Sequence, residues 1–271
     1  PGVANWYAST CGECDSGCGV LVKTREGRPI KYEGNPAHPT NQGGLCARGQ
    51  ASVLNVYDAD RLQNPLEVLR KGGAKALSWH DVDQKVSAKI RESRASGGKV
   101  RVFTGEVVSP STQNLLHDFT RGLPGSAHVA YDIMGAEETA IASEASYGAR
   151  VVPRYRLDKA EMIVSFGADF LGTWHSPVEM NRGFSAQRDP AHGMSKFVAF
   201  ESLLTLTGSN ADQRFTIKGG SEVNAALALA HELIVTQGRS RFAGDSEVTS
   251  LLRGYPSATV ASQLGLPADV F

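Results

Sequence analysis

The stretch "TCGECDSGCGVLVKTREGRPIKYEGNPAHPTNQGGLCARGQ", residues 10–50, holds every cysteine of the 271-residue chain. Cys11, Cys14, Cys18 and Cys46 follow the spacing C-x2-C-x3-C-x27-C. Three chemistries use four sulfurs. Disulfides inside so short a glycine-punctuated loop are awkward, because a bridge needs its two Cα atoms about 4.4–6.8 Å apart with aligned Cβ vectors. Structural zinc favours two separate ligand pairs, each on its own turn. Three ligands crowded on one loop and a single distant fourth suit a cubane, whose four irons each take one thiolate. Gly12, Gly17 and Gly19 let such a loop wrap a bulky group, and Gly43 and Gly44 do the same before Cys46. The spacing therefore favours a 4Fe–4S cluster, with zinc and disulfides as the alternatives.

Outward from these cysteines, "GVLVKTREGRPIKYEGN" (19–35) alternates apolar and polar residues on both sides of a turn at Gly27, the pattern of a β-hairpin. Residues 1–60 read as a small loop-and-hairpin domain and 61–77 as a linker, with Pro65 and Gly72-Gly73 as breakers. From residue 78 to 271 the texture becomes α/β. Ser78 is a candidate N-cap for a helix carrying Val82, Val86 and Ile90. Strands are expected at 99–105, 160–169 and 196–202, and helices at 109–123, 137–149, 221–236, 245–253 and 257–264. The apolar runs "AEMIVSFGAD" and "KFVAFES" are those of parallel strands covered on both faces. Ligands in such a sheet sit beyond the carboxyl ends of the strands, which directs attention to the loops after Phe103, Phe166 and Phe200.

Composition narrows the function classes. Lys+Arg and Asp+Glu both number 28, so no global field points to nucleic acid or an anionic membrane surface. The most apolar run, "VNAALALAHELIV" (223–235), is short of the roughly 18 residues of a membrane span and contains His231 and Glu232. A chain starting at Pro1 reads as a processed N-terminus. There is no P-loop, no nucleophilic triad signature, and no C-x-x-C-H for haem attachment.

Residues 10–50, with the hairpin, the "EGNPAHP" turn and the Gly-Gly-x-Cys-x-Arg-Gly ending, resemble the N-terminal cluster domain of the molybdopterin oxidoreductase (dimethyl-sulfoxide-reductase) family. "DRLQNPL", "LSWHDV", "ADFLGTW", "FESLLTLTGSNAD" and "KGGSEVNAALALAHELI" extend the resemblance along nearly the whole chain. "PGVANWYASTCGEC" and "SFGADFLGTWHSPVE" are most similar to the subgroup found in quinone-linked membrane complexes, alternative complex III and the quinone reductase complex of sulfate reducers.

The resemblance carries several expectations. Cys11, Cys14, Cys18 and Cys46 ligate the 4Fe–4S cluster. Arg48 occupies the position of a cation between cluster and pterin, unless it is paired with Asp58 or Asp60. Gly167, Asp169, Glu201 and Thr205 fall where family members hold a molybdopterin guanine dinucleotide. Independently of the resemblance, His38, between two prolines in a turn, reads as a loop-packing residue rather than a ligand, with tuning of the cluster's potential as the other role. Active members ligate molybdenum through a Cys, selenocysteine, Ser or Asp of the first α/β domain. The matching stretch, "HVAYDIMGAEETAIASEAS" (128–146), offers only Asp132, Glu137, Glu138 and Ser143, ordinary capping or solvated residue types. Catalytic subunits of the family also continue for several hundred further residues.

The expected function is electron transfer within a respiratory complex, with no catalytic residue in this chain. Its expected partners are a multi-cluster ferredoxin-like subunit, an integral quinone-binding subunit and a c-type cytochrome, at the periplasmic face of a membrane, with the cytoplasmic side as the alternative. The alternative is half of a molybdenum or tungsten bis-pterin site, completed by another chain and acting on polysulfide, a sulfur oxyanion or formate.

Overall fold

The computed structural model describes residues 2–131, 136–191 and 193–271. The chain divides into two compact units, Pro1–Pro153 and Arg154–Phe271. The first unit opens with an antiparallel sheet of β1 (Asn5–Thr10), β2 (Gly19–Arg25) and β3 (Arg28–Gly34), ordered β1-β2-β3. Glu26 and Gly27 turn β2 into β3 with φ of +49° and +76°. Two consecutive left-handed residues are what a two-residue hairpin requires to match strand twist. The eight residues Cys11–Cys18 form the β1–β2 connection, closed at its neck by Cys11 N–H donating to Cys18 O at 2.8 Å. Beyond β3 comes the short helix α1 (Ala47–Ala51).

Within the stretch expected as a linker, β4 (Leu66–Val68) and β5 (Ala74–Ala76) pair as a small hairpin. Gly72 and Gly73, at φ +91° and +85°, supply its turn. Helix α2 (Trp79–Ala95) starts where Ser78 predicts: the Ser78 hydroxyl accepts the Asp81 N–H, and Asp81 reaches back to the Ser78 N–H, a reciprocal capping box. Strand β6 (Arg101–Thr104) crosses over through α3 (Pro110–Arg121) to the parallel β7 (Ala127–Ala130). Helix α4 (Glu137–Tyr147) ends at left-handed Gly148.

The second unit is built on β8 (Met162–Phe166), β9 (Lys196–Glu201) and β10 (Gln213–Thr216), all parallel with β9 central. Helix α5 (Pro177–Ala186) links β8 to β9, and α6 (Glu222–His231), α7 (Ser246–Leu252) and α8 (Ser257–Leu264) follow. Side chains alternate across a strand, so β9 feeds two cores. Phe197 and Ala199 join Ile163, Phe170, Met180 and Phe184 in one cluster, while Val198 and Phe200 join Ile217 and Ala225 in the other. Phe170, Phe184 and Phe197 meet edge-to-face, with centroids 5.4–5.8 Å apart. The continuous apolar run of β9 thus has the expected cause, burial on both faces. Strands β1, β7 and β10 and helix α5 have no counterpart among the sequence expectations.

Candidate metal centre

The four cysteines all lie in the first unit as free thiols. Cys11, Cys14 and Cys18 belong to the β1–β2 connection, and Cys46 is the residue from which α1 springs. Cys46 makes no side-chain capping bond, so its sulfur is not used by the helix. Gly49, one turn into α1, lets that helix approach the loop: a methyl group there would lie 3.5 Å from Cys11 Sγ and collide with Leu45. In the loop only Gly17 needs its freedom for conformation, at φ +56°, whereas a side chain at Gly12 would meet open space. Cys14 Sγ–H donates to the Ser16 hydroxyl at 3.4 Å.

Electrostatics tie the four sulfurs together. Burial pushes the Cys18 thiol up to about 11, and the nearby sulfurs of Cys14, Cys11 and Cys46 push the same way. Cys11 is likewise raised, first by burial and then by its charged neighbours Cys14, Glu13 and Cys46, against a lowering hydrogen bond at Glu13. Positive charge placed against Cys11 and Cys18 would offset this burial and favour their thiolates. A cubane takes one thiolate at each of four irons, and four free thiols, three on one loop and one at a helix start, are that donor set.

A second segment braces the site. Asn41, only 1% exposed, accepts the Gly19 N–H through Oδ1 (2.9 Å) and donates Nδ2–H to Gly19 O (2.9 Å) and Gly44 O (2.7 Å). The His38 ring packs on Gly19, where a Cβ would stand 2.6 Å away, and His38 Nδ1 is buried without a partner. His38 is thus the packing residue expected. Arg48 sits in α1, and among the described residues it forms no ion pair with Asp58 or Asp60; the Asp58 carboxylate accepts the Asp60 N–H at 2.8 Å instead.

The residues expected at a pterin site lie in the second unit, at the carboxyl ends of β8 and β9. Gly167 follows β8 at φ +71°, donating its N–H to Phe200 O (2.8 Å). Asp169 Oδ1 accepts from Thr207 Oγ1 (2.7 Å) and Thr207 N–H (3.2 Å), and its carbonyl accepts the amides of Gly172, Thr173 and Trp174. Glu201, 5% exposed, accepts from Arg214 Nε (2.5 Å) and Thr205 Oγ1 (2.7 Å). Burial works to raise the Glu201 carboxyl, yet the Arg214 and Thr205 hydrogen bonds outweigh it and hold it below the usual range. Glu201 and Thr205 are therefore brought together, as are Gly167 and Asp169 on the adjoining loop, but their polar atoms are engaged with the protein itself. Sequence reasoning missed Asn41, whose signal was an Asn inside a Gly-rich turn. It also missed the ring cluster of Tyr155, Trp174 and His175, with His175 at φ +50°.

Of the residues considered against molybdenum, Asp132 lies outside the described residues. Glu137 and Glu144 pair with Arg150 on the surface of α4, while Ser143 is buried in that helix.

Known proteins resemble this chain in sequence and fold. Residues 4–58 match the molybdopterin oxidoreductase Fe4S4 domain. The chain is 28% identical to the molybdopterin-binding-like subunit of menaquinone reductase from Nitratidesulfovibrio vulgaris, covering 98% of this chain and 38% of that one. It is 24% identical to the molybdopterin-containing subunit of thiosulfate reductase from Salmonella typhimurium, over 97% of this chain and 35% of that one. Among solved structures, acetylene hydratase from Pelobacter acetylenicus superposes with a TM-score of 0.73 at 17% identity, over 96% of this chain and 37% of that one. The chain thus spans somewhat over a third of the length of these proteins. It carries a molybdopterin oxidoreductase Fe4S4 domain at residues 4–58, and its relatives along the remaining length are molybdopterin oxidoreductase subunits.

Proposed function

We propose that the chain is the iron–sulfur electron-transfer component of a quinone-linked respiratory oxidoreductase, in which Cys11, Cys14, Cys18 and Cys46 hold the 4Fe–4S cluster. The observation that carries this reading is that one loop and one helix start, within a matched Fe4S4 domain, supply every cysteine of the chain as a free thiol. Bound there, a 4Fe–4S cluster supplies one-electron transfer with little bond rearrangement. The chain's own residues do the rest. The closed β1–β2 loop fixes three sulfurs, α1 presents the fourth, and Gly49 lets the two arms meet without a side chain between them. Arg48, two residues beyond Cys46, places a positive charge that favours added electrons.

The resemblance to a menaquinone reductase subunit supports association with further subunits of a quinone-linked complex; the reading extends to a multi-cluster ferredoxin-like subunit, an integral quinone-binding subunit and a c-type cytochrome as those partners, at the periplasmic face of a membrane. Among the described residues no helix is long and apolar enough to cross a membrane. Phe103 and Tyr131, 69% and 61% exposed, stack beside the two-stranded β6–β7 sheet. Parallel sheets are ordinarily covered on both faces, so this surface suits packing by further protein.

A second reading, part of a molybdenum or tungsten pterin site, is favoured by the likeness to molybdopterin-containing subunits of thiosulfate and arsenate reductases. One experiment separates the two. In the complex purified without oxygen from its native membrane, a menaquinol analogue donates an electron to the oxidised, diamagnetic cluster so that the paramagnetic signal of the reduced cluster appears, and molybdenum and tungsten are far below stoichiometric. Stoichiometric molybdenum or tungsten overturns the electron-transfer reading in favour of the second. A cluster silent to the quinol overturns the quinone link.

A further inference from the structure

We propose that Asn41 is the positioning residue that locks the two arms of the cysteine site together and thereby retains the iron bound at Cys46. The inference rests on the four-thiolate reading above. Cys11, Cys14 and Cys18 come from one connection, whereas Cys46 arrives after a hairpin and a twelve-residue segment, 35–46. Nothing covalent keeps this segment on the loop. The Asn35 N–H donates to Gly19 O at 2.9 Å and the His38 ring packs on Gly19, but the contact that reaches from the loop to the turn before Cys46 is one carboxamide. Asn41 pairs with both the N–H and the C=O of Gly19, immediately after Cys18, and donates its second Nδ2 hydrogen to Gly44 O, two residues before Cys46. Its own carbonyl accepts the Gly44 N–H at 2.8 Å, tightening the same turn.

The chemistry admits few substitutes. Two carbonyl oxygens face Nδ2 and one N–H faces Oδ1, so the orientation of the amide is fixed by its partners. All of it is buried, where an unmade hydrogen bond costs most. Aspartate has the same size and shape but would turn a carboxylate oxygen toward two carbonyls. Alanine would remove the bonds and leave a void. The surrounding approaches show how tightly the segment is seated. A side chain at Gly19 would strike the His38 ring, and one at Gly34 would collide with the Gly43 and Gly44 carbonyls. Gln42 and Gly43, at φ +42° and +91°, bend the chain so that Asn41 points inward and Cys46 follows. If the brace loosens, the arm that moves carries a single thiolate, so one corner of the cluster is exposed before the other three.

The test uses the protein purified without oxygen with its cluster in place, as wild type, Asn41→Asp and Asn41→Ala. Mild ferricyanide oxidation is followed by electron paramagnetic resonance, and iron release to a chelator by absorbance. We expect both Asn41→Asp and Asn41→Ala to lose iron about tenfold faster than wild type, a factor in keeping with the loss of one or two buried hydrogen bonds. The first product is a three-iron cluster, and the thermal melting of the second unit is unchanged. A pure packing role predicts otherwise: the isosteric Asn41→Asp retains iron like wild type and only Asn41→Ala is damaged, which overturns the brace. Wild-type rates in both variants overturn it too. Amide exchange on the wild type needs no variant: Gly19 N–H is protected if Asn41 holds it, and exchange at the rate of an open loop sinks the proposal. Wild-type protein without iron overturns the four-thiolate reading itself and this inference with it.

Discussion

Replacing Asp212 by asparagine removes one charge while keeping the shape of the side chain. The Asp212 carboxylate receives both Arg188 terminal nitrogens at 2.7 and 2.8 Å and the Phe197 N–H at 2.7 Å. Arg188 also donates to Ser195 O at 2.6 Å and lies over the Phe184 ring. The Arg188 hydrogen bonds pull the Asp212 carboxyl from its ordinary 3.8 down to about 2. A difference of that size corresponds to about 2 kcal/mol of stability, which partial solvent screening reduces to about 1–2 kcal/mol. Because the folded-state value is depressed, the contribution is full above about pH 4 and fades as pH falls toward 2. Urea unfolding of Asp212→Asn and wild type is compared from pH 7 to pH 2.5. Trp174, packed against the Phe197 cluster, is the fluorescent reporter in a background where exposed Trp6 and Trp79 are phenylalanine. The gap should be about 1–2 kcal/mol at pH 7 and shrink steadily below pH 4. A gap of constant size at every pH would refute an electrostatic origin, and no gap at pH 7 would refute the pair's contribution altogether.

Other substitutions probe other links. Phe197→Ala, at a side chain with 0% exposure between two aromatic neighbours, Phe170 and Phe184, should cost about 3–5 kcal/mol in the same urea assay. Glu201→Ala strands Arg214 beside a half-buried strand end and should cost about 2–4 kcal/mol, with Thr205→Ala costing less because Arg214 keeps its partner. Gly34→Ala drives a methyl group into the Gly43 and Gly44 carbonyls. Strain of about 1–3 kcal/mol should appear as lower iron content, whereas Gly12→Ala, facing open space, should keep iron at the wild-type level.

What the sequence disclosed and what it withheld follow the range of the forces involved. The hairpin turn at Gly27 and the Ser78 cap are written in neighbouring residues, so local reading recovers them, whereas the helix expected over 137–149 stops at Tyr147 because Gly148 turns left-handed. The two-sided burial of β9 is likewise spelled out by its unbroken apolar run. Strand β1 is exposed along its length and has no buried face to mark it; it exists through pairing with β2. Strands β7 and β10 are four residues each and depend on parallel neighbours. Helix α5 did leave a trace, Pro177 at its first position and buried Met180 and Phe184 at i, i+4 spacing, although Gly183 interrupts the pattern. At the sites, cysteine spacing announced four sulfurs. It could not announce that Asn41 ties Gly19 to Gly44 or that Arg214, on the next strand, occupies Glu201. Those are tertiary partnerships, fixed only once the chain has folded.

The central claim concerns what four thiolates hold, and the direct measurement is iron, inorganic sulfide and zinc per chain in protein purified without oxygen. About four irons and four sulfides, falling on Cys→Ser replacement at Cys11, Cys14, Cys18 or Cys46, is the predicted result. One zinc per chain without iron, or iron content indifferent to those replacements, would contradict it.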